Sequence, residues 1–266
     1  MKPTPAPLVL VAGGSSAAGI AVAAALVSAG FRVLTAGSDG GRIGAAAALA
    51  GGAVPLVCDL SDPAAVAGLA DTIHREHGPV GGLIHLVGGW RGGKGLAAQS
   101  DADWDFLHRS VLTTLRNTTR AFYDDIAASP TGRIAIVSST SVTAPTPGNA
   151  NYAAIKAAAE TWIQALAAGL AADAVIGAAA GELLASAGPA TAGAAGGATT
   201  AEAVPAGDGP AGVVLVVKAL VDDAMRAASP ERKFPGFTDV AVLGQTVVRL
   251  FSTPAVQLNG NRIELN

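Results

Sequence analysis

Tyr152 and Lys156 stand four residues apart in the stretch NANYAAIKAAAETW, residues 149–162. On a helix that spacing puts both side chains on one face. A free phenol has a pKa of about 10, too high for ready proton exchange at neutral pH. An ammonium one turn away favours the phenolate and is expected to bring that value down. The pair would then suit general acid–base work on a carbonyl or alcohol oxygen. The same spacing also describes a solvated tyrosine and lysine on an amphipathic helix, so other motifs have to decide.

A second candidate is the glycine-rich turn in LVLVAGGSSAAGIAVAAAL, which starts at Leu8. Small residues at Gly13, Ser15, Ser16, Ala17 and Gly19 let the backbone turn tightly. They also let amide N–H groups at a helix N-terminus approach a phosphate closely. Taken alone, such a turn is weak evidence for a nucleotide, because Gly, Ser and Ala recur wherever strands meet helices.

The elements that must position these residues alternate along the chain. Leu8–Ala12 is a continuous apolar run between Pro7 and Gly13, as expected of a strand buried on both faces. Ile20–Ala29 reads as a helix stopped by Gly30, and Phe31–Thr35 as a second strand. A helix over Arg42–Ala50, a strand over Val54–Val57 and a helix capped by Ser61, with Pro63 in its first turn, follow. Then come a strand at Leu83–Val87, mostly helix over Asp101–Ala128, a strand at Arg133–Val137 and a helix at Lys156–Ala172. A sixth strand at Val213–Val217, a helix at Asp239–Phe251 and a short strand at Arg262–Leu265 complete the pattern. This alternation predicts one α/β domain over residues 1–266, a Rossmann-type doubly wound parallel sheet with helices on both faces in three layers. Ligands of such sheets lie beyond the carboxyl ends of the strands. Residues 177–212, dominated by Ala, Gly, Thr and Pro, read as a low-complexity insertion that begins as a helical extension and ends as a loop.

Composition bounds the partners. Half of the 266 residues are hydrophobic and 14% are charged, enough for a large core. With 17 Lys and Arg against 20 Asp and Glu, the net charge of −3 offers no field for nucleic acid and no polybasic membrane anchor. The single cysteine, Cys58, allows neither an internal disulfide nor a Cys-rich metal site, and a reducing, cytoplasmic compartment is expected. The apolar run before Gly13 is too short for a secretory core or a membrane span. His74, His77, His85 and His108 have no metal-ligand spacing, so no metal is expected.

Gly13-x-x-x-Ala17-x-Gly19 resembles the cofactor turn of the short-chain dehydrogenase/reductase family, T-G-x-x-x-G-x-G, with Ala12 for the threonine and Ala17 for the middle glycine. VCDLSD, from Val57, resembles the family's adenine-contacting segment, with Asp59 and Leu60 in the matching positions. HLVGG, from His85, stands where the family has N-N-A-G, which aligns Val87 and Gly88 with its last two positions. Ser139 precedes Tyr152 by 13 residues (152 − 139), the family's spacing. Four motifs therefore fall in family order. The resemblance implies an NAD(P)-dependent oxidoreductase that moves hydride between a nicotinamide cofactor and a small carbonyl or alcohol. Tyr152 would be its general acid/base, Ser139 would stabilise charge on the substrate oxygen, and Lys156 would also hold the nicotinamide ribose. It further implies a homodimer or homotetramer.

Some positions depart from the pattern. The family's catalytic asparagine aligns with Val111, and Asn117 lies about two turns further on. The dihydropteridine reductase branch also lacks that asparagine. VGGWRGG, from Val87, and TPGNANYAAIK, from Thr146, resemble its V-A-G-G-W-x-G-G and T-P-G-x-x-x-Y-x-x-x-K, although that branch does without the serine kept here as Ser139. A pterin reductase and a non-catalytic dinucleotide-binding protein are the alternatives. KALVDD, from Lys218, stands where the family's P-G-x-[IV]-x-T closes over the cofactor. This aligns Val221 with the aliphatic position and puts Asp223 at the threonine, a carboxylate expected to need Lys218 or Arg226 as compensation. After the second strand come Gly37, Ser38, Asp39 and then Arg42. No acid at position 37 selects NAD, and Ser38 and Arg42 suit a 2′-phosphate that Asp39 opposes, so the expectation leans to NADP over NAD. Trp90 and Arg91 are candidates to line the substrate site, and Phe234 and Phe237 to cover it.

Overall fold

The computed structural model describes residues 7–186 and 209–265. Its first half runs β1 (Leu8–Ala12), α1 (Ala17–Ser28), β2 (Arg32–Gly37), α2 (Gly40–Leu49), β3 (Val54–Val57), α3 (Pro63–Glu76), β4 (Gly82–His85), α4 (Asp101–Leu107), α5 (Thr114–Ala128) and β5 (Arg133–Ser139). The second half runs α6 (Ala150–Ser186), β6 (Ala211–Val217), β7 (Leu220–Val221), α7 (Asp223–Ala228), β8 (Thr238–Asp239), α8 (Val240–Leu250), α9 (Ala255–Leu258) and β9 (Arg262–Glu264).

Seven strands pair in the order β3-β2-β1-β4-β5-β6-β9, and every pairing is parallel. The all-apolar runs explain why: Val9, Leu10 and Val11 are wholly buried, as are Val213 to Val216, which only a sheet covered on both faces allows. Val66 and Ile73 of α3, Leu115 and Phe122 of α5, and Ile155 and Ile163 of α6 form the core on one face. Val22 and Leu26 of α1, Ala47 of α2, and Leu243 and Val247 of α8 form it on the other. Strand order reverses between β1 and β4, so the loops leaving those strands diverge and open a crevice at their carboxyl ends.

Several boundaries differ from the sequence reading, each for a local reason. The N-cap of α3 is Asp62, whose side chain accepts from the Ala64 amide at 2.8 Å, while Ser61 donates to Asp59 at 2.7 Å. Strand β4 ends at His85 rather than Val87. The Leu86 amide still bonds the Ala12 carbonyl at 2.8 Å, but Gly13 crowds the chain there: a Cβ on Gly13 would lie 2.9 Å from the Leu86 carbonyl carbon. The helical stretch after Asp101 is broken by a π turn at His108–Thr113. The Thr114, Thr118 and Thr119 hydroxyls of this region donate back to carbonyls one turn earlier.

Helix α6 starts at Ala150, six residues before the expected start, because a reciprocal cap between Thr146 and Asn149 leads into it. It runs on to Ser186 through an alanine-rich sequence of high helix propensity. The insertion expected at 177–212 is thus helical over 177–186, its residues 187–208 lie outside the described residues, and β6 begins within it at Ala211. Asp239 is the N-cap of α8, not its first residue, and accepts from the Ala241 amide at 2.7 Å. Among the described residues no helix is long and apolar enough to cross a membrane.

Candidate active site

Beyond the carboxyl ends of β4, β5 and β6 lies a cavity of about 400 Å³. Tyr152 in the first turn of α6, Lys156 one turn later, Ser139 at the last position of β5 and His85 at the last position of β4 all line it. The three residues singled out for chemistry are therefore brought together. Lys156 is 8% exposed, and its Nζ donates to the Val137 carbonyl at 2.8 Å. That nitrogen stands 5.8 Å from the centre of the Tyr152 ring. The Ser139 hydroxyl hydrogen-bonds Tyr152, and it also donates to the Ser141 hydroxyl and accepts from the Ser141 amide, both at 3.1 Å.

The electrostatics correct one expectation. Tyr152 is raised above the ordinary phenol value, because burial disfavours the phenolate more than the Ser139 hydrogen bond favours it. The expected lowering by Lys156 is not what governs it; the lysine directs its bond at Val137 instead of the phenol oxygen. Burial brings Lys156 down to about 8, with Glu160 pulling the other way. His85 is pushed down to about 3 by burial and then by the Lys156 charge, so its ring is neutral near pH 7, and its Nε2 has no hydrogen-bond partner.

A second cavity, of about 570 Å³, shares Leu86, Val87 and Gly88 with the first, so the two form one elongated groove. Gly13, Ser15 and Ser16 line it from the turn after β1, Ser38 and Arg42 from the end of β2 and the start of α2, and Asp59 and Leu60 from the loop after β3. The turn depends on its small residues. Gly13 has φ +86°, and a Cβ on Gly19 would sit 2.4 Å from the Gly13 carbonyl oxygen. Ser16 closes the turn, accepting from the Gly19 amide and donating to the Gly13 carbonyl, each at 3.0 Å. Asp59 spends its carboxylate locally, and the Ser61 hydroxyl and amide hold it below the usual carboxylate range. Asp39 caps α2 through the Arg42 amide at 2.8 Å, and its other oxygen lies 3.7 Å from the Arg42 side chain. The N-terminus of α1 with the Ser15 and Ser16 hydroxyls beside it supplies the donors that the phosphates of a dinucleotide need.

Of the other expected residues, Trp90 joins the cavity and several are placed elsewhere. Ala17 is exposed at the start of α1, and Ala18 lines the Tyr152 cavity in its stead. Val221 is buried in β7, paired with Asp239 of β8, and the cleft wall is formed instead by Val217 to Leu220. Asp223 is fully exposed and pairs with Arg226 at 3.1 Å, while Arg226 is held chiefly by Asp239 at 2.6 Å. Lys218 donates to the Pro235 carbonyl at 3.0 Å. Asn117 does not reach the site: it donates to the Leu60 carbonyl at 3.1 Å and ties α5 to the loop after β3. Val111 lies in the π turn, buried against Gly88. Trp90 lines the Tyr152 cavity, whereas Arg91 turns away to cover the Phe106 ring at 3.8 Å. Phe234 and Phe237 pack on each other, 5.5 Å between ring centres, and neither lines the cleft.

Sequence reasoning missed His85 and Ser141 as lining residues. The signal for Ser141 was the serine-rich SSTS beginning at Ser138, and for His85 its place at a strand end in a segment already singled out. Among the described residues no group of three or more His, Cys, Asp or Glu side chains could hold a metal ion.

Comparison with known proteins bears on the family and the fold. The chain is 30% identical over 151 residues to 3-oxoacyl-(acyl-carrier-protein) reductase FabG of Salmonella typhimurium, covering 56% of this chain and 62% of that protein. A short chain dehydrogenase of Pseudocercospora fijiensis is 32% identical over 166 residues, covering 60% of this chain and 54% of that protein. The matches thus span about three fifths of these relatives' length or less. An NADPH-bound short chain oxidoreductase of Pseudomonas aeruginosa PAO1 with an atypical catalytic center superposes with a TM-score of 0.75 at 18% identity, over 97% of this chain and 95% of that one. NAD+-bound xylitol dehydrogenase does so with a TM-score of 0.73 at 15% identity, over 97% of each chain. At these identities the structural likeness is one of fold. The family assignment comes from the sequence itself: residues 7–188, from β1 through the glycine turn and past Lys156, match the short chain dehydrogenase family, and the chain belongs to it.

Proposed function

We propose that this protein is a nicotinamide-dependent reductase of a small carbonyl compound, with Tyr152 as its proton donor. The observation that carries the reading is the meeting of Tyr152, Ser139 and Lys156 in one cavity that continues into the groove of the glycine turn. The bound cofactor supplies the hydride that reaches the carbonyl carbon. Gly13, Ser15 and Ser16 would hold its phosphates, Asp59 and Leu60 would lie beside its adenine, and Val87 and Gly88 would lie under its middle. Ser38 and Arg42 suit a 2′-phosphate, which favours NADP(H) over NAD(H).

The raised value of Tyr152 fits the reductive direction, because the phenol is protonated at neutral pH and ready to donate. As negative charge develops on the substrate oxygen, the Tyr152 O–H bond breaks and its proton passes to that oxygen. Ser139 hydrogen-bonds the same oxygen and stabilises it before the proton arrives. Lys156 keeps a positive charge near the phenolate that remains. Trp90, 64% exposed and lining the same cavity, favours a substrate with a flat ring, which keeps a pterin in view. The 3-oxoacyl-(acyl-carrier-protein) substrates in the names of the FabG relatives are the second class to test.

The test is NADPH and NADH oxidation with quinones, quinonoid pterins, ketones and 3-oxoacyl thioesters, with wild type and Tyr152→Phe in parallel. Turnover that Tyr152→Phe abolishes supports the reading. Dinucleotide binding without turnover on any substrate would favour a non-catalytic binding protein.

A further inference from the structure

One helical turn beyond Lys156, α6 carries a second buried charge. Glu160 is 4% exposed. Ser138 donates to its Oε1 at 2.5 Å, Arg262 Nε donates to its Oε2 at 2.7 Å, and Arg262 Nη2 reaches Oε1 at 3.4 Å. These partners come from β5 and from β9, so one carboxylate joins three elements. Ser138 lies between Val137, whose carbonyl takes the Lys156 bond, and Ser139, whose hydroxyl bonds Tyr152. A buried ion pair is no requirement for stability, since well-packed apolar side chains often serve as well. Its location directly behind the site lysine calls for another role.

We propose that Glu160 and Arg262 are positioning residues that together set the charge state of Lys156, the carboxylate holding the ammonium and the guanidinium limiting that hold. The inference rests on the placement of Lys156 in the proposed site. Besides the pair, three titratable groups line the cavity of the lysine: Tyr152 from α6 itself, His85 from β4 and Lys218 from the end of β6. Tyr152 and His85 are uncharged near neutral pH, for the reasons of burial given above. The Lys218 ammonium bonds the Pro235 carbonyl. Glu160 is thus the charged neighbour that acts on Lys156, and it opposes the burial that brings the lysine down to about 8. Arg262 comes from the last strand, 102 residues away, so the state of the site depends on that strand being paired in the sheet.

The pair makes opposite demands on its two halves, which separates this role from simple support. Lysine labelled with carbon-13 and nitrogen-15 is followed by NMR against pH in the protein without cofactor, the Lys156 signal being assigned with Lys156→Arg. Glu160→Gln is expected to lower the Lys156 midpoint by about one pH unit, because the stabilising carboxylate is lost. Arg262→Gln is expected to raise it by about as much, because the carboxylate is no longer shared. Arg262→Lys, which keeps the charge, is expected to restore the wild-type midpoint. If Glu160→Gln does not fold, the Arg262→Gln and Arg262→Lys pair decides alone. Shifts of the same sign in both halves, or a midpoint that moves in none of them, overturn the proposal. Because no turnover is read, a chain that proves inactive on every carbonyl leaves this test intact.

Discussion

Lys156 gives its hydrogen bond to the main-chain carbonyl of Val137, 2.8 Å away, two residues before Ser139 on the same strand. The bond fixes the lysine to the sheet and not to its helical neighbour Tyr152. The phenol and the ammonium are therefore held independently, one on the first turn of α6 and one through β5, and meet across the cavity. A substrate oxygen at that place would face Tyr152 and Ser139 directly, with the lysine charge behind them.

Replacement of Tyr152 by Phe tests the proton donor. Turnover should fall by at least about 100-fold, the scale of a positioned acid. The dissociation constant for NADPH should stay within about twofold, since the phenol oxygen is not part of the glycine turn, and thermal unfolding should be unaltered. Turnover within a few fold of wild type would remove Tyr152 from the mechanism.

Gly19→Ala tests the turn. An added Cβ would meet the Gly13 carbonyl oxygen at 2.4 Å and the Gly14 Cα at 2.6 Å, both main chain, so the turn must open. Dinucleotide binding measured by calorimetry should weaken at least about tenfold, about 1.4 kcal/mol. Gly44→Ala on α2, where a Cβ would meet nothing within 4 Å, is the control and should bind as wild type does.

Arg42 bears on cofactor choice. It lines the same cavity as Ser38 and Asp59 and is 71% exposed, with Asp39 3.7 Å away. Arg42→Ala should weaken NADPH about tenfold and leave NADH nearly unchanged, because only the former offers a phosphate to pair. Equal losses for both cofactors would place the 2′-position elsewhere.

His85 should make stability depend on pH. Its value in the fold is about 3 against an ordinary 6.5, so below pH 6.5 the unfolded chain takes a proton that the folded chain refuses. The stabilisation is complete above pH 6.5 and is lost as pH falls towards 3, at about 1.4 kcal/mol per pH unit from this group. Urea unfolding at several pH values from 7.5 to 5 should show that slope, and His85→Asn should flatten it. The further loss below the ordinary carboxylate value of 3.8 should remain in both proteins, since Asp59 and Asp239 are lowered in the fold. An unchanged slope in His85→Asn would assign it to other groups.

Sequence alone determined the alternation of apolar strands and helices, the tight turn at Gly13 to Gly19 and the spacing of Ser139, Tyr152 and Lys156. Those features are local: a buried parallel strand needs an unbroken apolar run, a close turn needs residues without side chains, and a helix brings residues four apart together. Tertiary structure decided the rest. Whether Tyr152 is lowered by a neighbour or raised by burial depends on how much water the fold removes, which spacing does not encode. Asn117 serves the Leu60 loop, Val221 faces inward beside Asp239, and Arg262 crosses 102 residues to reach Glu160. Each of those placements follows from which segments pack together, and a buried charge or amide takes whatever partner that packing brings within reach.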